Sequence, residues 1–240
     1  HEEAIVCYDK ALEIDPKYAI AWNNKGIALK NLKKHEEAIV CYDKALEIDP
    51  KYGAPWDNKG DLSYSRKKYE EAIVCYDKAL EIDPKNFRSW WLKGSTLDNL
   101  EKYEEAIVCY DKALEIDPND MYALYSKGNT LGHIEKHEEA IVCYDKALEI
   151  DPNDSSSLNN KSWSLCKLKR YQEALLVSEI AIAINTTAPE HCHTKGFILL
   201  KLKQYQDAIK WFDKALAVDP NHKDSIKDRQ LAADAAKLDK

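Results

Sequence analysis

The segment His191-Cys192-His193 contains the residue types that most often bind a transition metal. Residues two apart in a helix do not share a face, and no second pair of ligands stands out in the sequence. Because a structural zinc ion needs three or four convergent ligands, we predict no metal site and no cofactor here.

The seven cysteines could form disulfide bonds. Five of the seven fall 34 residues apart, at Cys7, Cys41, Cys75, Cys109 and Cys143. If each belongs to a similar helix, neighbouring copies lie about 10 Å apart, whereas a disulfide needs Cα atoms within about 7 Å. We therefore predict free, partly buried thiols in a reducing compartment, which favours a cytoplasmic location.

No catalytic constellation is evident either. The carboxylates recur identically along the chain, as in Asp43, Asp77 and Asp111, which is typical of solvated helix faces rather than of acid–base pairs. Glycines stand alone between helix-forming residues, so no phosphate-binding loop is predicted. The sequence gives no catalytic residues and indicates that the chain is not an enzyme.

Composition narrows the fold and the partners. The 240 residues include 45% hydrophobic and 32% charged residues but only 7 Gly and 8 Pro, a helical composition. The formal net charge of −7 argues against nucleic acid or an anionic membrane surface as the target. No apolar run is long enough for a membrane helix, and no signal peptide is visible at His1-Glu2-Glu3.

An internal repeat organises the chain. The same fifteen residues, from Glu-Glu-Ala-Ile-Val to Glu-Ile-Asp-Pro, occur five times, beginning at Glu2, Glu36, Glu70, Glu104 and Glu138. Their apolar residues follow a helical period, and Asp49-Pro50 ends the helix. A second helical segment precedes each of the later copies, as in Ala21–Leu32, and the short link Lys33-Lys34 predicts antiparallel packing.

This pattern resembles the tetratricopeptide repeat (TPR). The match is carried in the first complete unit by Trp22, Gly26, Ala38, Tyr42, Ala45 and Pro50. The resemblance implies an all-α fold, an α-solenoid in which antiparallel helix pairs of 34 residues form a right-handed superhelix. It divides the chain into the second helix of a truncated unit (1–18), six units (19–52, 53–86, 87–120, 121–154, 155–188 and 189–222) and a C-terminal capping helix (223–240). We expect residues 1–18 to continue a longer natural array.

Small residues should sit where the two helices of a unit cross, since a larger side chain at Gly26 or Ala38 would separate the backbones. The unit 155–188 departs from the pattern, with Ser162 for Gly, Ser178 for the aromatic residue and Thr186 for Pro. We expect looser packing or a different bend there.

The resemblance also implies that the first helix of each unit lines a concave side. The first helices vary while the second helices repeat, which suits a recognition surface on a uniform frame, although neutral drift of exposed residues would also explain it. Aromatic, Asn and Asp residues at inner positions suit side-chain pockets and hydrogen bonds to an extended peptide. The predicted peptide-binding residues are Asn23, Asn24, Asp57, Asn58, Tyr64, Arg88, Trp91, Tyr125, Asn129, Asn159, Asn160, Trp163, His193 and Phe197.

Two devices known in the family were compared with the sequence. Asn24, Asn58 and Asn160 form half of an asparagine ladder that would clamp a peptide backbone, but Asn is also a common solvated residue. The carboxylate clamp for chaperone C-termini needs Lys at the fifth position of a unit, and no unit has it. We do not predict that activity.

A column of lysines also recurs, at Lys25, Lys59, Lys93, Lys127, Lys161 and Lys195. We expect it to pair with an acidic column on the adjacent helix: Asp43, Asp77, Asp111, Asp145, Glu179 and Asp213. The sequence as a whole predicts a scaffold that binds a protein or peptide of unknown identity. The alternative is a self-associating array, a homo-oligomer or a structural adaptor within a larger protein.

Overall fold

A computed structural model describes residues 1–238, which form fourteen α-helices and no strand. The helices are α1 Glu2–Ile14, α2 Ala19–Asn31, α3 His35–Ile48, α4 Ala54–Ser65, α5 Tyr69–Ile82, α6 Phe87–Asn99, α7 Tyr103–Ile116, α8 Met121–His133, α9 His137–Ile150, α10 Ser155–Lys167, α11 Tyr171–Ile184, α12 Pro189–Lys201, α13 Tyr205–Val218 and α14 Lys223–Leu238. The prediction of an all-α fold is confirmed. None of these helices is long and apolar enough to cross a membrane.

The chain divides into two compact units, described separately below: unit 1 is His1–Pro118 and unit 2 is Asn119–Lys240. In unit 1, α2 pairs with α3, α4 with α5, and α6 with α7. In unit 2, α8 pairs with α9, α10 with α11, and α12 with α13. We call the even-numbered members of these pairs first helices and the odd-numbered members second helices; α1 is also a second helix.

A three-residue link makes each pair antiparallel, as the short links predicted. Lys33 is left-handed, with φ 61°. This conformation lets the N–H of Lys34 donate to the carbonyl of Leu29 at 2.9 Å, and the N–H of Lys33 donate to that of Lys30 at 2.9 Å. These two bonds satisfy carbonyls that the end of α2 would otherwise leave open. The same left-handed residue recurs at Lys67, Glu101, Glu135, Lys169 and Lys203.

A glycine and an aromatic ring meet where the helices of a pair cross. A Cβ atom on Gly26 would lie 2.5 Å from Cε1 of Tyr42, too close for any real contact. The ring itself is fully buried. The same contact joins Gly60 to Tyr76, Gly94 to Tyr110, Gly128 to Tyr144 and Gly196 to Phe212. The expected need for a small residue at Gly26 is confirmed.

The fifth pair replaces both partners of this contact at once. Ser162 stands at the glycine position of α10 and Ser178 at the aromatic position of α11, and both are buried. Each hydroxyl donates within its own helix, from Ser162 Oγ to the carbonyl of Asn159 at 2.8 Å and from Ser178 Oγ to that of Leu175 at 2.7 Å. Two small side chains thus substitute for the glycine and the ring together.

Five lysines of the column form ion pairs with carboxylates on the preceding second helix, as predicted, but the partner of Lys25 is Asp9, which the predicted acidic column did not include. Lys59 Nζ lies 2.5 Å from Asp43 Oδ1 and Lys195 Nζ lies 2.9 Å from Glu179 Oε1. Equivalent pairs join Lys25 to Asp9, Lys93 to Asp77 and Lys161 to Asp145. Asp213 continues the column onto α14, where it pairs with Arg229 at 2.5 Å.

The seven cysteines are all free. Six are buried, but Cys7 is exposed, so the expectation of partial burial is wrong for Cys7. The reason is local, because Cys7 lies on α1, and the only helix that contacts α1 within the described residues is α2. The predicted capping segment 223–240 contains α14, and its last two residues lie outside the described residues.

Within each unit the first helices contact one another. Helix α4 contacts both α2 and α6, and α10 contacts both α8 and α12, whereas the second helices of residues 1–238 make no such contacts with one another. The first helices therefore form the more closely spaced row. We call the surface of α2, α4 and α6 the first-helix face of unit 1, and that of α8, α10 and α12 the first-helix face of unit 2.

Candidate functional site

Asparagines join neighbouring first helices in unit 1. Asn58 on α4 donates from Nδ2 to Asn23 Oδ1 on α2 at 2.9 Å, and both side chains are buried. Asn23 in turn donates to Asn24 Oδ1 at 3.3 Å. The amide of Asn58, which the sequence offered as part of a peptide-binding ladder, is thus bonded to the neighbouring pair.

Asp57 forms the next connection, from α4 to α6. Its carboxylate accepts from Ser89 Oγ at 2.5 Å and from Asn86 Nδ2 at 2.9 Å. Burial raises the pKa of Asp57, and the two hydrogen bonds oppose that rise because they stabilise the carboxylate. Asn86 also caps α6, since its Oδ1 accepts from the Ser89 N–H at 3.2 Å.

More accessible polar groups surround Asp61 in unit 1. Arg88 donates from one guanidinium nitrogen to Asp61 Oδ2 at 2.5 Å, and Lys30 Nζ lies 3.6 Å from the same oxygen. Half of the Arg88 side chain is exposed. Tyr64 is half-buried, and its hydroxyl accepts from Asn99 Nδ2 at 3.0 Å. This part of the face presents charged and polar groups that surrounding solvent can reach.

Trp91 is the aromatic residue predicted for the face of unit 1. It is half-buried and packs against the core cluster of Leu97, Ala106 and Tyr110. Part of its ring therefore stabilises the third helix pair, and only the remaining part is open to a partner.

In unit 2, two amides and two tyrosine hydroxyl groups form a hydrogen-bonded cluster beside a cavity. Asn160 Nδ2 donates to Asn129 Oδ1 at 2.8 Å and to the Tyr125 hydroxyl at 3.2 Å. The Tyr144 hydroxyl also donates to Asn129 Oδ1, at 2.8 Å. The adjoining cavity has a volume of about 300 Å³ and is lined by Asn129, Gly132, His133, Tyr144, Asn160, Trp163 and Ser164. Three predicted site residues thus line one cavity.

Asn159 and His193 are buried in unit 2. Asn159 Nδ2 donates to Asn160 Oδ1 at 3.2 Å, while Asn159 Oδ1 has no hydrogen-bond partner among the described residues. His193 Nε2 bonds to Asp228 Oδ2 on α14 at 3.0 Å. Burial lowers the pKa of His193, and the hydrogen bond and charge of Asp228 oppose that lowering.

Two aromatic rings and two lysines lie beside these residues. The rings of Trp163 and Phe197 are 5.0 Å apart between centroids. Lys167 Nζ lies 4.6 Å from the centroid of the Trp163 ring, and Lys201 Nζ lies 4.8 Å from that of Phe197. Both rings are half-buried, so they combine an apolar surface with nearby positive charge.

The predicted inner residues thus divide into two classes. Five are buried and bonded within the array, which leaves them little surface for a partner: Asn23, Asp57, Asn58, Asn159 and His193. The others remain partly accessible: Asn24, Tyr64, Arg88, Trp91, Tyr125, Asn129, Asn160, Trp163 and Phe197.

Three of these bonds share one geometry, in which a residue at the fifth position of a first helix bonds to the sixth position of the helix that begins the next 34-residue segment. Asn23–Asn58, Tyr125–Asn160 and His193–Asp228 are all 35 residues apart. Sequence reasoning did not select Asp228, Lys167 or Lys201.

No metal site is visible in residues 1–238, where no group of three or more His, Cys, Asp or Glu side chains could hold an ion. His193 contacts Asp228, but no third ligand joins these two side chains in this part of the chain. His191 is buried, and burial lowers the pKa of its imidazole.

Protein-family comparison matches TPR models along most of the chain. One model described as a tetratricopeptide repeat matches residues 19–52, 122–154 and 190–222, and two others match 87–120 and 143–175. A fourth, described as a TPR repeat, matches 1–33 and 60–98. Comparison with curated proteins gives no significant match.

Solved structures share the fold at low sequence identity. YrrB, described as a TPR protein with an unusual peptide-binding site, is 23% identical, with 79% of this chain and 97% of that chain covered and a TM-score of 0.66. The C-terminal part of a TPR repeat-containing protein from Cytophaga hutchinsonii is 18% identical, with 94% and 93% covered and a TM-score of 0.74.

Pseudomonas aeruginosa PilF is 19% identical, with 88% of this chain and 96% of that chain covered and a TM-score of 0.74. Together with the repeated helix pairs and their glycine–aromatic contacts, the family matches identify the chain as a member of the tetratricopeptide repeat family.

Proposed function

We propose that this chain is a non-catalytic scaffold that binds an extended peptide or a helix of a partner protein on its first-helix faces. TPR arrays generally act as protein-interaction scaffolds, and their stacked pairs expose a long row of side chains. Each unit here offers such a row, on α2, α4 and α6 in unit 1 and on α8, α10 and α12 in unit 2.

The observation that carries the proposal is the cavity in unit 2. Its volume of about 300 Å³ suits one large side chain of a ligand. Trp163 contributes an apolar wall, while the Nδ2 group of Asn129 and the second lone pair of Asn160 Oδ1 can bond to a peptide backbone. A half-buried aromatic residue beside polar groups is the usual composition of a binding hot spot.

The face of unit 1 supports the same function through polar contacts. Arg88 has an exposed guanidinium, and Tyr64 has a partly accessible hydroxyl. These groups suit hydrogen bonds to a ligand at the margin of the face, whereas Asn23, Asn58 and Asp57 keep the helix pairs in register. The likeness to YrrB, whose description includes a peptide-binding site, agrees with a peptide ligand.

The test is a pull-down from a cell extract of the source organism, with the intact chain beside a Trp163→Ala/Tyr125→Ala variant. Truncation of two aromatic residues at a binding face weakens association by about 2–4 kcal/mol, or at least roughly thirtyfold, so specific interactors should be lost. Trp211→Ala is the matched control, because Trp211 is a half-buried tryptophan on the second helix α13.

Circular dichroism and thermal melting check that the variants remain folded. If the Trp163→Ala/Tyr125→Ala variant is folded and retains every interactor of the intact chain, the binding face lies elsewhere.

Self-association is the second candidate, and one observation favours it. Second helices expose a valine at the same position of each repeat in unit 1, with Val40 at 53%, Val74 at 58% and Val108 at 57% exposure. Such a row could pair with that of another copy. Analytical ultracentrifugation at several protein concentrations tests this candidate. A monomeric mass at every concentration would contradict self-association.

A further inference from the structure

Lys167 and Lys201 end consecutive first helices of unit 2. They are the last residues of α10 and α12, and both side chains are exposed. Lys167 Nζ lies 5.9 Å from the centroid of the Phe197 ring, and Lys201 Nζ lies 4.8 Å from the same centroid. The two ammonium groups thus lie over one ring, on the face that carries the cavity.

Neither lysine has an acidic partner. In residues 1–238 no carboxylate oxygen lies within 4 Å of either ammonium group, whereas Lys161 and Lys195 on the same helices are paired at 2.5 Å and 2.9 Å. Lys169 and Lys203, in the turns that follow, are also exposed and have no ion pair in the described residues. The ends of α10 and α12 and the turns that follow them thus carry four lysines without an ion pair in the described residues, while the equivalent turn after α8 carries Glu135.

The surrounding helices contain almost no negative charge. Glu190 is the only carboxylate within α8, α10 and α12, and it lies in the first turn of α12, at the opposite end from Lys201. This absence contrasts with the chain as a whole, whose formal net charge is −7. The first-helix face of unit 2 is thus cationic in an acidic protein.

Unit 1 shows that the repeat does not require these lysines. The corresponding last residues of its first helices are Asn31, Ser65 and Asn99. A cation does interact favourably with the C-terminal end of a helix, but α2, α4 and α6 end without one at this position. The face of unit 1 also carries Asp57 and Asp61. The charge difference is therefore a property of unit 2 rather than of the fold.

Resting on the proposed function, we propose that the first-helix face of unit 2 binds an acidic segment of its partner protein. Side-chain carboxylates of Asp or Glu bind Lys167 and Lys201, and a neighbouring apolar side chain packs on Trp163 and Phe197. An ammonium group held over an aromatic ring still has N–H groups directed away from the ring, so it can bind a carboxylate at the same time.

The test measures binding of labelled decapeptides to the intact chain by fluorescence anisotropy. The acidic probe contains two Phe, four Ser and four Glu residues and has an amidated C-terminus. Matched probes replace Glu with Gln or with Lys, and a fourth is the Gln probe with a free C-terminal carboxylate. The acidic probe should bind roughly tenfold more tightly than the Gln probes, and the difference should shrink as salt increases.

Variants locate the interaction. Lys167→Gln/Lys201→Gln should weaken binding of the acidic probe roughly tenfold. Lys33→Gln/Lys67→Gln removes the same charge from exposed turns of unit 1 and should leave the affinity unchanged. Trp163→Ala should weaken binding of both the acidic and the Gln probes, because it removes the apolar contact that they share.

Several results would overturn the proposal. They are equal affinity for the acidic and Gln probes, preference for the probe with the free C-terminal carboxylate, and unchanged binding to Lys167→Gln/Lys201→Gln. Displacement of the acidic probe by an equimolar thymidine oligonucleotide would also overturn it, since a nucleic-acid phosphate would then be the better ligand. If binding remains sensitive to Trp163→Ala in these cases, the scaffold function stands. If no probe binds, the acidic-segment proposal is contradicted, and the pull-down decides the scaffold function separately.

Discussion

At the residue scale, the contact between glycine and an aromatic ring sets how closely the two helices of a pair approach. A buried Tyr or Phe ring lies against the bare Cα of the facing glycine in five of the pairs. The ring supplies a large apolar area, and the glycine supplies the space that this area needs. Since cores are densely packed, even one added methyl group must displace something here.

Two glycines of α8 provide a matched test of this contact. A Cβ on Gly128 would lie 2.6 Å from Cε1 of Tyr144, whereas a Cβ on Gly132 would have no neighbour within 4 Å. Gly128→Ala should lower the free energy of unfolding by about 1–3 kcal/mol through overpacking. Gly132→Ala should raise it by up to about 1 kcal/mol, because alanine favours the helix.

Urea denaturation of both variants measures these changes. Equal effects of Gly128→Ala and Gly132→Ala would show that the ring contact is irrelevant and that only helix propensity matters.

At the element scale, the left-handed turn residue makes antiparallel pairing possible over a link of three residues. Its conformation is costly for any residue with a Cβ, yet Lys or Glu occupies it in all six turns between residues 33 and 203. The turn bonds compensate for this strain by satisfying the end of each first helix. These turns therefore contain strain that a glycine would release.

Lys67→Gly should accordingly stabilise the protein by about 0.5–1 kcal/mol, since the relief of strain exceeds the added entropy of the unfolded chain. Ser65→Gly, two residues earlier at the end of α4, serves as the control. Its backbone is helical, so glycine there should destabilise the protein by up to about 1 kcal/mol.

Thermal unfolding followed by circular dichroism gives both values. A lower melting temperature for Lys67→Gly than for the parent protein would contradict the strain interpretation.

Much of this architecture could be predicted from the sequence, because the period of 34 and the positions of Gly26 and Tyr42 specify the helix pair directly. Which of the site residues are buried could not be predicted from the sequence. The exposure of Asn23 depends on Asn58, 35 residues later, and hence on how one pair stacks on the next. Helical periodicity gives only the direction in which a side chain leaves its own helix. Lys167 and Lys201 could not be predicted as site residues, because a lysine in the last helical turn is common in any soluble protein.

At the scale of the whole molecule, stability in a repeat array is transmitted between neighbouring helices. The buried bond between His193 and Asp228 connects α12 to α14 at the end of unit 2. Its loss should therefore loosen the helices in contact with it and leave distant ones unchanged. Local hydrogen exchange reports this difference directly.

Asp228→Ala should cost about 1–3 kcal/mol, because it leaves the buried His193 imidazole without its acceptor. Amide exchange measured by mass spectrometry should accelerate in α12, α13 and α14, while α1–α5 of unit 1 serve as the internal reference. Lys227→Ala, an exposed change on the same helix, is the control and should leave exchange in α12 unaltered. Uniform acceleration through the entire chain would contradict nearest-neighbour coupling.

The five identical second-helix segments affect how each helix finds its correct partner when the chain folds. A copy threaded against the wrong glycine would regain the same ring contact and an equivalent ion pair, so these contacts favour correct and shuffled arrangements alike. The shuffled arrangements are disfavoured by the three-residue links, which are too short to skip a neighbour, and by bonds that only some pairs can form, such as the one between Asn58 and Asn23. The varied first helices thus specify the order in which the helix pairs pack. An array with identical first helices would lack the contacts that distinguish the correct order from a shuffled one.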